Sequence, residues 1–358
     1  MDEKQGSGEL LEQAAAYLQG NAELRAAVGA GAGDELEPQR LGEGEHNLNY
    51  RFRVPSTDAT YVLRVNVAAQ PFHDNQIAYE FAALQALAPS GCTPAPVFLD
   101  DTPAALGKGV LVEEFLPGAE LDFDNLQPGQ VECAVRLMAD VHAVPVAPDC
   151  PLHRPADPLS ELFAECVERF RLYRASAFED ARFTRWGERF IAAAGDGLRS
   201  STPPSAEDRA HIVNTEPLPS HFLLPHPQNG HRPDSPSRGA FIDWERAIVG
   251  EAAQDVAYFT APTTTFWDSE YLMTRDAAAE AVEQYWRAVD GRFARGSFDE
   301  RYRLYRMMTA LRSVTWCCRA LITYGAGSAA HQTSKTAAKL PVYLSDDFMD
   351  LVARECFE

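Results

Sequence analysis

Helix-period stripes open and close this chain, and strand-period alternation fills a short stretch after its first helices. Over residues 8–29 the apolar positions Leu10, Leu11, Ala14, Tyr17 and Leu18 fall at helical spacing, which predicts one or two short helices. From Leu41 a glycine-containing turn gives way to apolar and polar alternation through Val54, the mark of a strand, and Thr60 to Val65 is its hairpin partner. A helical segment, residues 77–84, separates these from two further apolar runs of strand length, Val97 to Leu99 and Val110 to Phe115. After Pro117-Gly118 the helical period takes over. Val135, Leu137, Met138 and Val141 mark a helix that Pro145 ends, and residues 157–174, 179–199, 273–288, 298–322 and 343–355 carry further helical patterns. Two short apolar runs interrupt them, Ile212-Val213 and Phe241-Ile242, each followed by acidic side chains. A length of 358 residues exceeds what one core usually serves. The expected organisation is α+β: an N-terminal helical segment over 1–35, a small lobe with an antiparallel sheet over 36–116, and a large, mainly helical lobe over 117–358.

Composition narrows the partners. Arginine and lysine number 32 against 52 acids, a net charge of −20, and only four of the cations are lysine. Such a surface excludes nucleic acid as the expected partner and resembles proteins of salt-loving organisms, in which molar salt screens self-repulsion. Seven cysteines without regular spacing suit small core residues in a reducing cytoplasm, and no pair has the spacing of a structural zinc site. The first residues lack a basic region followed by an apolar core, and no run of about 18 apolar residues occurs, so neither secretion nor membrane spanning is expected.

The candidate chemistry lies at the two interrupting runs. Phosphoryl transfer needs an acidic group at the attacking hydroxyl, a metal ligand five residues on and a later carboxylate for Mg²⁺. Glu216, His221 and Asp243 have that spacing, and Asp243 opens Asp243-Trp244-Glu245. Three histidines at 221, 226 and 231 invite a metal reading, but their spacing matches no zinc pattern, and the prolines and glycines of 225–239 mark a surface loop.

Together with Asp255, twelve residues beyond Asp243, this pattern resembles the aminoglycoside phosphotransferase and choline kinase-like family, which has a protein kinase-like fold. The chain departs from the family's His-Gly-Asp loop and its following Asn at Asn214, Thr215, Glu216 and His221. The resemblance implies a phosphate-covering turn at Gly44, His46 and Asn47, a strand cation at Arg64 for the phosphates, and Glu80 as its helix partner. It also implies main-chain contacts to adenine at Glu113 through Phe115, a buried structural role for His142, and an Asp255 that bonds to the N–H groups of the catalytic loop. Glu216 and Asp243 are the expected catalytic residues, with Asp243 and His221 the metal ligands. The expected function is an ATP- and Mg²⁺-dependent kinase acting on a hydroxyl of a small molecule, with a histidine ligand that weakens the second metal site or biases it towards Mn²⁺. A nucleotide-binding pseudokinase or sensor, or transfer of AMP to a partner, stand as alternatives.

Overall fold

The computed structural model describes residues 3–43, 47–67, 75–102, 106–107, 109–225, 239–325 and 334–358. Two compact units divide the chain. The first is built from residues 1–119, 147–152 and 225–247, the second from 120–146, 153–224 and 248–358.

The first unit opens with α1 (Glu3–Gly20) and α2 (Ala22–Ala27), the latter capped by Asn21, whose side chain accepts the Leu24 N–H. Strands β1 (Gln39–Glu43), β2 (Asn47–Arg53) and β3 (Thr60–Asn66) follow, then α3 (Gln76–Leu87), β4 (Pro96–Asp100) and β5 (Val110–Glu114). They make one antiparallel sheet in the order β1-β2-β3-β5-β4. Residues 39–43, where the pattern suggests only a turn, are thus an edge strand. Alternation sorts the faces of the sheet. Leu48, Tyr50, Phe52, Leu63, Val65, Val110 and Val112 share a core with Ala14, Leu18, Leu24 and Val28 from the helical segment. On the opposite face the register sets Asn49 beside Arg64, Asn47 beside Asn66, and Glu113 beside Val62. A line of polar side chains on a buried sheet face is unfavourable unless each finds a partner.

The chain enters the second unit through the two-residue strand β6 (Ala119–Glu120). Helices α4 (Gln130–His142), α5 (Pro158–Arg174) and α6 (Ala181–Ser200) precede strands β7 (His211–Val213) and β8 (Phe222–Leu224). After β9 (Ala240–Phe241) of the first unit comes β10 (Ile248–Gly250), antiparallel to β7. Among the described residues the unit continues with α7 (Ala252–Phe259), α8 (Pro262–Asp268), α9 (Arg275–Val289), α10 (Phe298–Gly325), α11 (Ser334–Tyr343) and α12 (Asp346–Val352), and a π-helical turn follows at Ala353–Phe357. The 28-residue α10 is the spine against which α5, α6, α7 and α8 pack. Pro262 occupies the first turn of α8, where its missing N–H costs nothing, and Phe266 is buried one turn on. Helix α11 has no clear counterpart in the apolar pattern. It is held through Lys339, whose ammonium donates to the Ser269 carbonyl at 2.6 Å, pairs with Glu270 at 2.7 Å and lies 3.7 Å from the centre of the Phe266 ring. Among the described residues no helix is long and apolar enough to cross a membrane.

Candidate active site

Arg64 lies within β3 and is 8% exposed. The first unit answers this buried cation with carboxylates from two elements. Glu80 of α3 reaches its Nε at 2.9 Å, and Asp243 and Glu245, from the turn after β9, reach its Nη2 at 2.5 and 3.3 Å. Helical spacing aligns Gln76, Tyr79 and Glu80 on one side of α3. Gln76 donates to Glu245 at 2.9 Å, and the Tyr79 hydroxyl donates to the Ala247 carbonyl at 2.5 Å. From β2, Asn47 donates to Glu245 at 2.6 Å and accepts from Asn66 at 3.0 Å. Glu245 therefore gathers donors from β2, β3 and α3. Between the two acids Trp244 is fully buried, its indole N–H donating to the Phe241 carbonyl at 2.9 Å, while Asp243 takes a left-handed conformation with φ 67°. Aspartate tolerates that region better than most residues.

Four carboxylates, Glu80, Glu113, Asp243 and Glu245, surround the one guanidinium. Burial pushes the Glu113 carboxyl up to about 7, with Arg64 opposing and Asp243 adding to the rise. The main-chain donors expected at the end of β5 are spent in the sheet. The Glu114 N–H goes to the Ala95 carbonyl at 2.9 Å and the Phe115 N–H to the Thr60 carbonyl at 3.1 Å, while the Phe115 ring sits 5.5 Å from the Arg51 guanidinium. Residues 114 and 115 thus do not offer N–H groups to an adenine edge. Gly44, His46, His226 and His231 lie outside the described residues.

In the second unit, β7 delivers the chain into Asn214-Thr215-Glu216. The Asn214 side chain accepts the Glu216 N–H at 3.2 Å, a local turn that asparagine makes readily. Thr215 has φ 75°, a conformation that strains a β-branched residue and that glycine would adopt freely. Asp255 of α7, fully buried, pins this turn by accepting the N–H of Asn214 at 2.7 Å and of Thr215 at 2.8 Å. The same carboxylate meets His142 Nε2 at 3.2 Å, and Nδ1 of that ring meets the Tyr285 hydroxyl at 2.8 Å. His142 is therefore a buried joint between α4, α7 and α9. His211 Nδ1 donates to the His142 carbonyl at 2.7 Å, and burial lowers the His211 pKa to about 4.

Glu216 forms an ion pair with Arg312 of α10, a partner 96 residues away that no local signal reveals. The carboxylate raises the Arg312 pKa against the cost of burial, the largest single influence on it. His221 is half-buried in the turn Pro219–His221, where its N–H donates to the Leu218 carbonyl at 3.0 Å. Asp243 belongs to the first unit and His221 to the second. Among the described residues no three His, Cys, Asp or Glu side chains form a ready-made metal site. The oxygens of Asp243 and Glu245 are of the kind that Mg²⁺ takes, an ion usually held by one or two carboxylates with water and substrate phosphates supplying the rest.

A family model described as a phosphotransferase enzyme family matches residues 37–292. No curated protein matches the sequence. Among solved structures, the chain is similar to a protein of Ralstonia eutropha JMP134 assigned to the aminoglycoside phosphotransferases, with TM-score 0.64 and 16% identity over 96% of this chain and 97% of that one. It is also similar to a choline kinase of Cryptosporidium parvum, with TM-score 0.56 and 13% identity over 98% and 99% of the two chains. An ethanolamine kinase of Plasmodium vivax gives TM-score 0.55 and 16% identity over 98% and 96%. At such identities the likeness shows the fold, which is the two-lobed, protein kinase-like α+β fold.

Proposed function

Since the chain belongs to the phosphotransferase enzyme family, whose model covers residues 37–292, we propose that it is a kinase that moves the γ-phosphate of ATP to a hydroxyl of a small molecule. The observation that carries this reading is Arg64, a buried cation on a central strand held by a helix carboxylate and by the Asp243-Trp244-Glu245 turn. That is the arrangement by which kinases present one positive charge to the α- and β-phosphates. Arginine serves there with a planar fork that binds phosphate oxygens in pairs. Glu80 orients the fork, and Glu245, fixed by Asn47 and Gln76, orients Asp243 through their shared contact with Arg64.

The same cluster sets four carboxyl groups around one cation, and burial raises Glu80 and Glu113 above the usual carboxylate range. Mg²⁺ held at Asp243 would neutralise charge on the β- and γ-phosphate oxygens. His221 is proposed as its further ligand, and an imidazole in that place favours Mn²⁺ more than an amide does. Glu216 is proposed to receive the acceptor's proton. In the transfer, the acceptor oxygen bonds to the γ-phosphorus, the bond from that phosphorus to the β,γ-bridging oxygen breaks, and ADP leaves with the electron pair. Asp255 keeps the Glu216 turn in place through two backbone N–H groups.

Calorimetric titration with Mg-ATP tests the nucleotide assignment. Arg64→Ala and Asp243→Ala are each expected to weaken binding by about tenfold or more, the order of a lost charge-assisted contact. Parental affinity in both variants would overturn it. A panel of hydroxyl metabolites, run with Mg²⁺ and Mn²⁺, then tests transfer.

A further inference from the structure

Resting on the reading of Glu216 as the group that meets the acceptor hydroxyl, the surroundings of that carboxylate indicate what else the acceptor carries. Among the described residues, Arg312 meets one hydrogen-bond acceptor, Glu216, although its guanidinium has five N–H donors. Helices α5 and α10 pack along each other, and the Cys166 thiol meets the Thr315 hydroxyl. Helical spacing then sets Arg312 and Arg319 about one turn to either side of Thr315, and Arg169 about one turn beyond Cys166, with Glu165 one turn before Arg169. The Arg169 side chain is 14% exposed. One of its terminal nitrogens pairs with Glu165, while the other, Nη1, is buried with no hydrogen-bond partner among the described residues. Burial, and after it the charges of Arg312 and Arg319, lowers the Arg169 pKa from the usual arginine range, whereas Glu165 opposes.

These groups are three arginines and two glutamates, 3 − 2 = +1, in a chain whose net charge is −20. An unmet buried donor is costly, and crowded like charges add to the cost. An anion lying against Arg169 and Arg312 removes both penalties, and a guanidinium fork accepts a carboxylate or a phosphate with equal geometric ease. A cationic acceptor would meet like charge at the same place. We propose that the acceptor is an anionic hydroxy compound, its carboxylate or phosphate held by Arg169 and Arg312 with Arg319 at the rim, and its hydroxyl presented to Glu216.

The test is calorimetric titration of the full chain in about 0.15 M KCl, where screening leaves close pairs intact. The probes are glycerate, glycerol 3-phosphate, glyceramide and choline, each added with and without Mg²⁺ and a non-hydrolysable ATP analogue. At least one of the two anions is expected to bind about tenfold more tightly than neutral glyceramide, and choline to show no binding at about 10 mM. The better anion tells carboxylate from phosphate. Arg169→Met is expected to weaken that anion about tenfold, and Arg319→Gln, an exposed change that leaves the core intact, about twofold to threefold. Equal binding of glyceramide, binding of choline, silence of both anions, or parental anion affinity in both variants overturns the assignment. Failure of the ATP analogue to bind strikes the kinase reading instead, and the titration without nucleotide still reads the arginine site.

Discussion

At the scale of single residues, Glu216 and Glu113 carry separable consequences. Glu216→Gln keeps the shape of the side chain and removes its charge, so the proposed transfer should fall by about 10²- to 10⁴-fold, the usual worth of a positioned base, while Mg-ATP affinity stays. Parental turnover would mean that Glu216 receives no proton. The variant also loosens Arg312, so a melting curve must accompany the rate. Glu113 governs a pH response. Its carboxyl titrates near 7 in the folded protein against an ordinary 4.5, so the folded state binds more protons than the unfolded state between those values. Stability should therefore be fully supported below about 4.5 and fall as pH rises through about 7, by at most about 1.4 kcal/mol per pH unit for this one group. Denaturant titrations of the metal-free protein between pH 5 and 8 read that slope, and Glu113→Gln should flatten it. An unchanged slope in Glu113→Gln would assign the effect to other groups.

At the scale of elements, close packing reverses an ordinary helix rule. Replacing glycine by alanine inside a helix usually stabilises by about 0.5–1 kcal/mol. Gly187 of α6 faces the Phe170 ring of α5 so closely that a Cβ there would enter the ring's van der Waals volume. Both helices pack against α10 as well, which limits how far they can part. Gly187→Ala should thus destabilise by about 1–3 kcal/mol, the cost of overpacking, readable as a lower denaturation midpoint. A midpoint at or above that of the parent would show that α5 and α6 can separate without loss. The same element logic explains Asp255. One carboxylate at the start of α7 serves the turn after β7 and the end of α4 together, so the position of that turn depends on the helical packing of its own unit.

For the whole molecule the dominant quantity is charge. Self-repulsion among 52 acids opposed by 32 cations acts over the Debye length, which is about 10 Å at 0.1 M salt and about 3 Å at 1 M. Surface pairs such as Arg174 with Glu188 and Arg295 with Asp299 offset little of it, since exposed pairs contribute at most about 1 kcal/mol each. The melting temperature is expected to rise between dilute buffer and molar KCl. A curve indifferent to salt would remove the inference from composition to a salt-rich habitat. The low lysine count would then have no stability role.

The order and type of most elements were legible in the sequence, because apolar period is a local property that survives into the fold. Alternation through β2 and β3 and the helical stripes of α4, α5, α6, α9 and α10 are examples. The spacing of Asp243-Trp244-Glu245, Glu216 and Asp255 was legible for the same reason, since short-range turns are written in adjacent residues. Strand β1 and helix α11 were not, as neither carries enough periodic apolar surface to announce itself and both form on contacts supplied elsewhere. Only the tertiary structure decided the partners of charge. Arg64 meets Asp243 across 179 residues and Glu216 meets Arg312 across 96, and in each case a buried or half-buried ion had to be matched by whatever element the packing brought within reach. Backbone pairing likewise spent the Glu114 and Phe115 N–H groups, which the residue types alone leave open. Periodicity determines which faces are apolar; the low dielectric of the interior, which makes an unmet charge or donor costly, determines which polar groups must come together.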